Sequence, residues 1–130
     1  MAATENPPAP ATTDEVTSAL WEAVGSLKTR FNLSDAEMRR VLGDMPRSTY
    51  YKGLKTQRVA VSRDTRDRVS LLLGIYTALR TLFVDAQQAT TWIDRDNTLP
   101  PFNGVTPRQY LTSGHFMDLA RVRTFLDYWN

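Results

Sequence analysis

Apolar residues recur three and four positions apart along most of this chain, and no stretch alternates apolar and polar with the two-residue period of a half-buried strand. The sequence therefore predicts an all-α fold. Val16, Leu20, Val24 and Leu27, with Trp21 beside them, mark a first helix from Thr12 to about Arg30, and Thr12 and Glu15 stand at capping-box spacing at its start. Phe31 and Leu33 are expected to close over it. Ser34 and Glu37 repeat the capping-box spacing, Met38, Val41 and Leu42 supply an i, i+3, i+4 stripe, and Gly43 stops this second helix. Arg39 and Arg40 are expected to project toward solvent or phosphate. Pro46 has the fixed φ suited to a first helical position, so a third helix is expected from Pro46 to Lys52, ended by Gly53.

The longest helix should begin at the Ser62 cap with Asp64 in its first turn, and bury Val69, Leu72, Leu73, Tyr76, Leu79 and Phe83. It is expected to join two halves of the molecule. Asp85 opens a short helix through Trp92. Thr106-Pro107-Arg108-Gln109 combines a capping box with proline at the first helical position, a strong start signal. A last helix runs from Phe116, just after His115, to Tyr128, with Leu119, Val122, Leu126 and Trp129 at helical spacing. Residues 1–11, rich in Ala, Pro and Thr, read as a disordered arm. The expected division is arm 1–11, a helix-turn-helix region 12–61 and a helical region 62–130.

Two short helices joined through Gly43 form the smallest unit that can place side chains in a DNA groove. On the third helix Tyr50 and Leu54 are expected to point inward. Arg47 with Tyr51, and Ser48 with Lys52, fall at i+4 on the outward face. Arginine can bond a guanine edge bidentately, while Ser, Thr, Tyr and Lys supply phosphate contacts that fix register. Arg47, Ser48, Thr49, Tyr51 and Lys52, with Lys55 and Arg58 in the following loop, are therefore the candidate DNA-binding residues. The turn holds one residue more between Gly43 and the third helix than the usual spacing.

Charge distribution sharpens this reading more than total charge. From Lys28 to Arg68 there are eleven Lys and Arg against five acids, net +6, whereas residues 1–27 carry −4 and residues 69–130 carry 0, giving +2 in all. That segregation is the footprint of a nucleic-acid face, with Arg63, Arg66 and Arg68 extending it into the long helix. A solvated surface on which Asp64 and Asp67 pair with those arginines gives the same distribution.

At 130 residues and 42% hydrophobic content the chain can bury one core. No apolar run reaches the ~20 residues of a membrane helix, the N-terminus lacks a secretory layout, and cysteine is absent, so a cytoplasmic setting is expected. His115 is the single histidine, and neither a phosphate-cradling Gly loop nor metal-ligand spacing is visible; no enzymatic activity, metal or cofactor is expected. Asp94 and Asp96 flank Arg95 in what reads as a solvated turn rather than an acid–base pair.

The second half carries a distributed pattern: Trp92 near a helix end, an Asn97-containing loop, Phe102-x-Gly104-x-x-Pro107 opening a helix, a Ser113-Gly114 break, and a final Val122-Arg123-x-x-Leu126 helix. This resembles the toxin-binding domain of the Xre/MbcA/ParS antitoxins, and over residues 15–130 the first half is similar to that family's Xre-type helix-turn-helix. The resemblance implies an antitoxin that neutralises a RES-domain toxin, with an ADP-ribosyltransferase-like fold and NAD as its substrate. It implies that the C-terminal segment blocks the toxin's active-site cleft, a role that falls on Tyr128, Trp129 and Asn130. A terminal Trp-Asn offers a large apolar surface, an amide and a carboxylate suited to a cationic cleft; alternatively Trp129 packs on its own helix and Asn130 frays. Asn97 and Arg108 are further candidates for the toxin face, whereas Trp92 and Phe102 read as core.

Three functional readings follow: a dual antitoxin and operon repressor, a DNA-binding regulator without a toxin partner, and a protein-binding module whose helix-turn-helix has become a dimer surface. A homodimer is expected in the first two, because a lone helix-turn-helix reads few base pairs.

Overall fold

The computed structural model describes residues 9–130 and is all-α, with no strand among them. Its helices are α1 (Thr13–Arg30), α2 (Asp35–Val41), α3 (Arg47–Thr56), α4 (Arg63–Leu82), α5 (Ala86–Thr91), α6 (Pro107–Leu111) and α7 (Phe116–Trp129), with a single 3₁₀ turn at Trp92–Asp94 after α5. Most of the arm expected over residues 1–11 lies outside the described residues. Among the described residues, no helix is long and apolar enough to cross a membrane.

Side-chain caps set the helix starts. Thr12 with Glu15 and Ser34 with Glu37 form reciprocal capping boxes, Ser62 and Asp85 accept from the third backbone N–H of α4 and α5, and Thr106 pairs with Gln109 ahead of Pro107. Each relieves orphan donors, a contribution of about 1 kcal/mol per cap.

Helix α4 is the spine of the molecule, packing on α1 at one side and on α5 and α7 at the other. One continuous core results. Trp21, Val24, Leu27, Phe31, Met38 and Tyr50 fill it between α1, α2 and α3, while Ile93, Phe102, Leu111, Leu119, Val122 and Leu126 fill it below α4. Phe102 sits among Trp92, Tyr110 and Phe125 at ring separations of 5.0–6.0 Å. Full burial of a side chain of this size contributes roughly 1.5–3 kcal/mol.

The structure departs from the sequence reading at α3 and α4, and at the start of α1. Gly53 does not end α3, which continues to Thr56 and stops at Gln57 in a left-handed conformation (φ 56°). Gly53 is buried against the Trp21 indole, which occupies the space a Cβ would need, so this glycine serves close helix approach rather than termination. On α4 the inward positions are Val69, Leu72, Ile75, Ala78 and Leu79, with Tyr76 and Phe83 half-buried, whereas Leu73 is 46% exposed. The helix touches neighbours on two sides, so its buried arc is wider than one stripe and centred one position away. Val16, in the first turn of α1, is likewise exposed.

Candidate nucleic-acid interface and C-terminal surface

Helix α2, a turn and helix α3 form the basic end of the molecule. Gly43 (φ 82°) and Asp44 (φ 58°) are consecutive left-handed residues, and they absorb the additional residue of the turn. The Gly43 N–H donates to Arg40 O at 2.9 Å and the Met45 N–H to Arg39 O at 3.0 Å, closing the end of α2. Arg39, expected at the surface, folds back and donates from Nε to Met45 O at 2.8 Å, so it clamps the turn. Arg40 is exposed, as expected.

Helix α3 has no acidic residue, no side-chain cap at Pro46 and one buried edge formed by Tyr50 and Gly53. Arg47, Ser48, Tyr51, Lys52 and Lys55 are exposed along it, and Thr49 is half-buried. Lys55 lies in the last turn of α3 rather than in a following loop. Ser48, Thr49, Lys52 and Arg58 come together around an open groove of about 710 Å³ that Val59 and Ala60 also line. Tyr51 and Arg47 lie on the adjoining edge, the guanidinium carbon 5.8 Å from the ring centroid. All seven candidate positions thus belong to α3 or the residues just beyond it.

The position of α3 is fixed by Asp35 in the first turn of α2. Its carboxylate accepts from the hydroxyls of Tyr50 at 2.7 Å and Tyr51 at 3.3 Å, and lies 3.3 Å from Lys28 Nζ. The Tyr50 hydrogen bond, aided by Lys28 and opposed by partial burial, lowers the Asp35 pKa below its ordinary value of 3.8. Burial and the same carboxylate push the Tyr50 phenol upward, so it stays a donor. The sequence reading did not single out Asp35, because its long-range tyrosine contacts carry no sequence signal.

Arg68 leaves the basic surface. It is 8% exposed and turned inward, donating from Nε to Asp64 Oδ2 at 2.7 Å and from Nη1 to Gly114 O at 3.0 Å and Val41 O at 3.4 Å. The Phe116 ring centroid lies 5.7 Å from its guanidinium carbon. Arg63, Arg66 and Asp67 remain exposed.

At the opposite end, Tyr128 is 81% and Trp129 53% exposed. Trp129 tilts against Phe125 at 6.2 Å, and the Asn130 amide donates to Leu126 O at 2.8 Å. Together with Leu99, Pro101, Met117 and Phe125, the two aromatic residues line an apolar groove of about 630 Å³. Neither Asn97 nor Arg108 lines that groove, although Asn97 is bonded to Leu99 at its margin. Asn97 Oδ1 accepts from the Leu99 N–H and its carbonyl from the Gly104 N–H, so it organises its own loop. Arg108 bonds inward to Asp94, Glu37 and the carbonyls of Phe31 and Asn32.

Residues 11–74 match the model of a family described as the antitoxin Xre-like helix-turn-helix domain. That span takes in α1, α2, α3 and the first part of α4. The chain is also 35% identical over 106 residues to a protein of Sinorhizobium fredii (strain NBRC 101917 / NGR234) described as uncharacterized protein y4oB, a match covering 82% of this chain and 80% of the relative.

Proposed function

Because this chain belongs to the same family as the Sinorhizobium fredii y4oB protein and carries an antitoxin Xre-like helix-turn-helix domain at its N-terminal end, we propose that it is a DNA-binding antitoxin. In this reading α3 docks in operator DNA as half of a homodimer, and the opposite end binds a RES-type toxin.

The observation that carries the DNA half is the acid-free outer face of α3. Arg47, Ser48, Lys52 and Lys55 are displayed together, while Tyr50 and Gly53 seat the helix on the core. In this reading Lys52, Lys55 and Arg58 would meet phosphates, and Arg47 would reach a base edge. A dimer would present two copies to half-sites one helical turn apart.

Support for the toxin half is the display of Tyr128 and Trp129 beside an apolar groove, since soluble chains seldom leave an aromatic pair so exposed without a partner. The Tyr128–Asn130 segment would enter the cleft in which the toxin binds NAD and exclude that substrate; this chain itself would contribute no catalysis.

Two measurements test the pair of claims. A duplex from upstream of this chain's own coding sequence should be retained by the purified protein, with affinity falling steeply as salt rises. Charge reversal at Arg47 and Lys52 should abolish retention; unchanged affinity removes DNA from the function. Co-expression with the product of an adjacent RES-type gene should rescue growth. If that product is harmless alone, or equally lethal with and without this chain, the toxin assignment fails, and retention of the duplex would then leave a transcriptional regulator without a toxin partner.

A further inference from the structure

Arg108 sits on α6, outside the helix-turn-helix half, yet most of its hydrogen bonds reach that half. Nη1 lies 3.2 and 3.1 Å from the two carboxylate oxygens of Glu37, and Nη2 donates to Phe31 O at 3.1 Å, in the turn between α1 and α2. Nε is anchored on its own side by Asp94 Oδ1 at 2.6 Å. Burial opposes the charge on Glu37, but the Ser34 backbone N–H and the Arg108 guanidinium outweigh it and hold the carboxylate below its ordinary pKa.

Glu37 also closes the capping box of α2 by accepting from the Ser34 N–H at 3.0 Å. Two residues earlier in the same turn, Asp35 accepts from Tyr50 and Tyr51 of α3. The first turn of α2 is thus gripped from one side by Arg108 and grips α3 with the other. Helix α2 has seven residues, with Met38 and Val41 its buried positions, so these polar contacts add to a small apolar anchorage.

We propose that Arg108 is a positioning residue for the DNA-reading helix: through Glu37 and the first turn of α2 it sets the placement of Tyr51 and the outer face of α3, although it touches no DNA. The proposal rests on the DNA reading of α3 given above. It also gives a physical route by which an occupant of the α6–α7 end can alter operator affinity, because Asp94, Arg108 and Glu37 span the two halves.

The test uses the full chain with two labelled duplexes, the upstream sequence and a scrambled one of equal length. Arg108→Gln should weaken binding to the upstream duplex about tenfold, or about 1.4 kcal/mol, and change the scrambled duplex less than about twofold, because phosphate contacts on exposed Lys52, Lys55 and Arg58 persist. Glu37→Gln keeps an acceptor for the Ser34 N–H while removing the charge that faces Arg108; it should narrow the discrimination in the same direction should Arg108→Gln fold poorly. Combined with Tyr51→Phe, either variant should lose less than the product of the two separate losses, a non-additivity that a general loss of stability does not produce. Equal losses on both duplexes, additive losses, or undiminished discrimination in both variants would overturn the proposal while leaving the DNA reading intact. If the unaltered chain fails to distinguish the duplexes, both fall.

Discussion

Trp21 of α1 and Gly53 of α3 are in direct contact, the indole ring filling the volume a side chain on residue 53 would occupy. Trp21 Nε1 donates to Val59 O at 2.8 Å, so the ring is held at both its polar and apolar edges and has no room to retreat. Gly53→Ala is therefore expected to destabilise the fold by about 1–3 kcal/mol through overpacking, against the ~1 kcal/mol that alanine ordinarily gains over glycine within a helix. A thermal melt checks the sign: an unchanged or raised midpoint would show that α1 and α3 can separate at no cost.

Arg68 stitches three segments that are distant in sequence, the end of α2, the start of α4 and the turn before α7. Arg68→Met preserves much of the stem volume but removes the charged donors to Gly114 O and Val41 O. Hydrogen bonds to charged groups carry roughly 1.5–3 kcal/mol, so a loss of about 2–3 kcal/mol is expected, read as a lower urea midpoint with an unchanged slope. The Asp64 carboxylate is well exposed and returns to water with little penalty. An unshifted midpoint would mean the buried guanidinium contributes nothing net, as some buried ion pairs do.

These two residues also mark what the sequence revealed and what it withheld. Capping signals at Thr12, Ser34, Ser62, Asp85 and Thr106 placed the start of five helices, because a cap is a local event between residues three apart. Gly53 read as a helix end because glycine has two uses, and choosing between them needs the position of Trp21, thirty-two residues away. Leu73 and Ile75 traded places because α4 is covered on two sides, which a single apolar stripe does not encode. Arg68 and Arg108 read as surface cations for the same reason: their partners are backbone carbonyls and carboxylates brought near only by folding. The outer face of α3 was legible, since Arg47, Ser48, Tyr51 and Lys52 follow from helical spacing alone.

Stability should decline on acidification in a way traceable to α2. Asp35 and Glu37 both have folded-state pKa values lowered from ordinary values of 3.8 and 4.5. Groups of this kind contribute stability that is fully present above the unfolded-state pKa and is lost as pH falls through the lower folded-state value. The expected window therefore opens just below pH 4.5 and extends under 3.8. Asp35→Asn should be less stable than the parent at neutral pH and lose less on going into this window, so the two denaturation midpoints converge. Parallel curves would show that the Tyr50 hydroxyl and Lys28 do not favour the ionised carboxylate.

Trp129 provides the sharpest separation of folding from function. It is about half exposed, its ring lying 5.3 Å from that of the exposed Tyr128 and 6.2 Å from that of Phe125, whereas Phe102, fully enclosed by Trp92, Tyr110 and Phe125, carries the packing of the same region. Phe102→Ala is expected to cost about 3–5 kcal/mol, as for other enclosed aromatics, while Trp129→Ala should cost less than about 1.5 kcal/mol because only part of the indole leaves an apolar contact. If the exposed aromatic end is the toxin-binding element, Trp129→Ala should nonetheless weaken the complex by at least about 2 kcal/mol, roughly thirtyfold. A chain lacking Tyr128, Trp129 and Asn130 should then melt close to the parent and still retain the upstream duplex, yet fail to protect cells in co-expression. Full protection by the shortened chain would assign toxin masking to another surface.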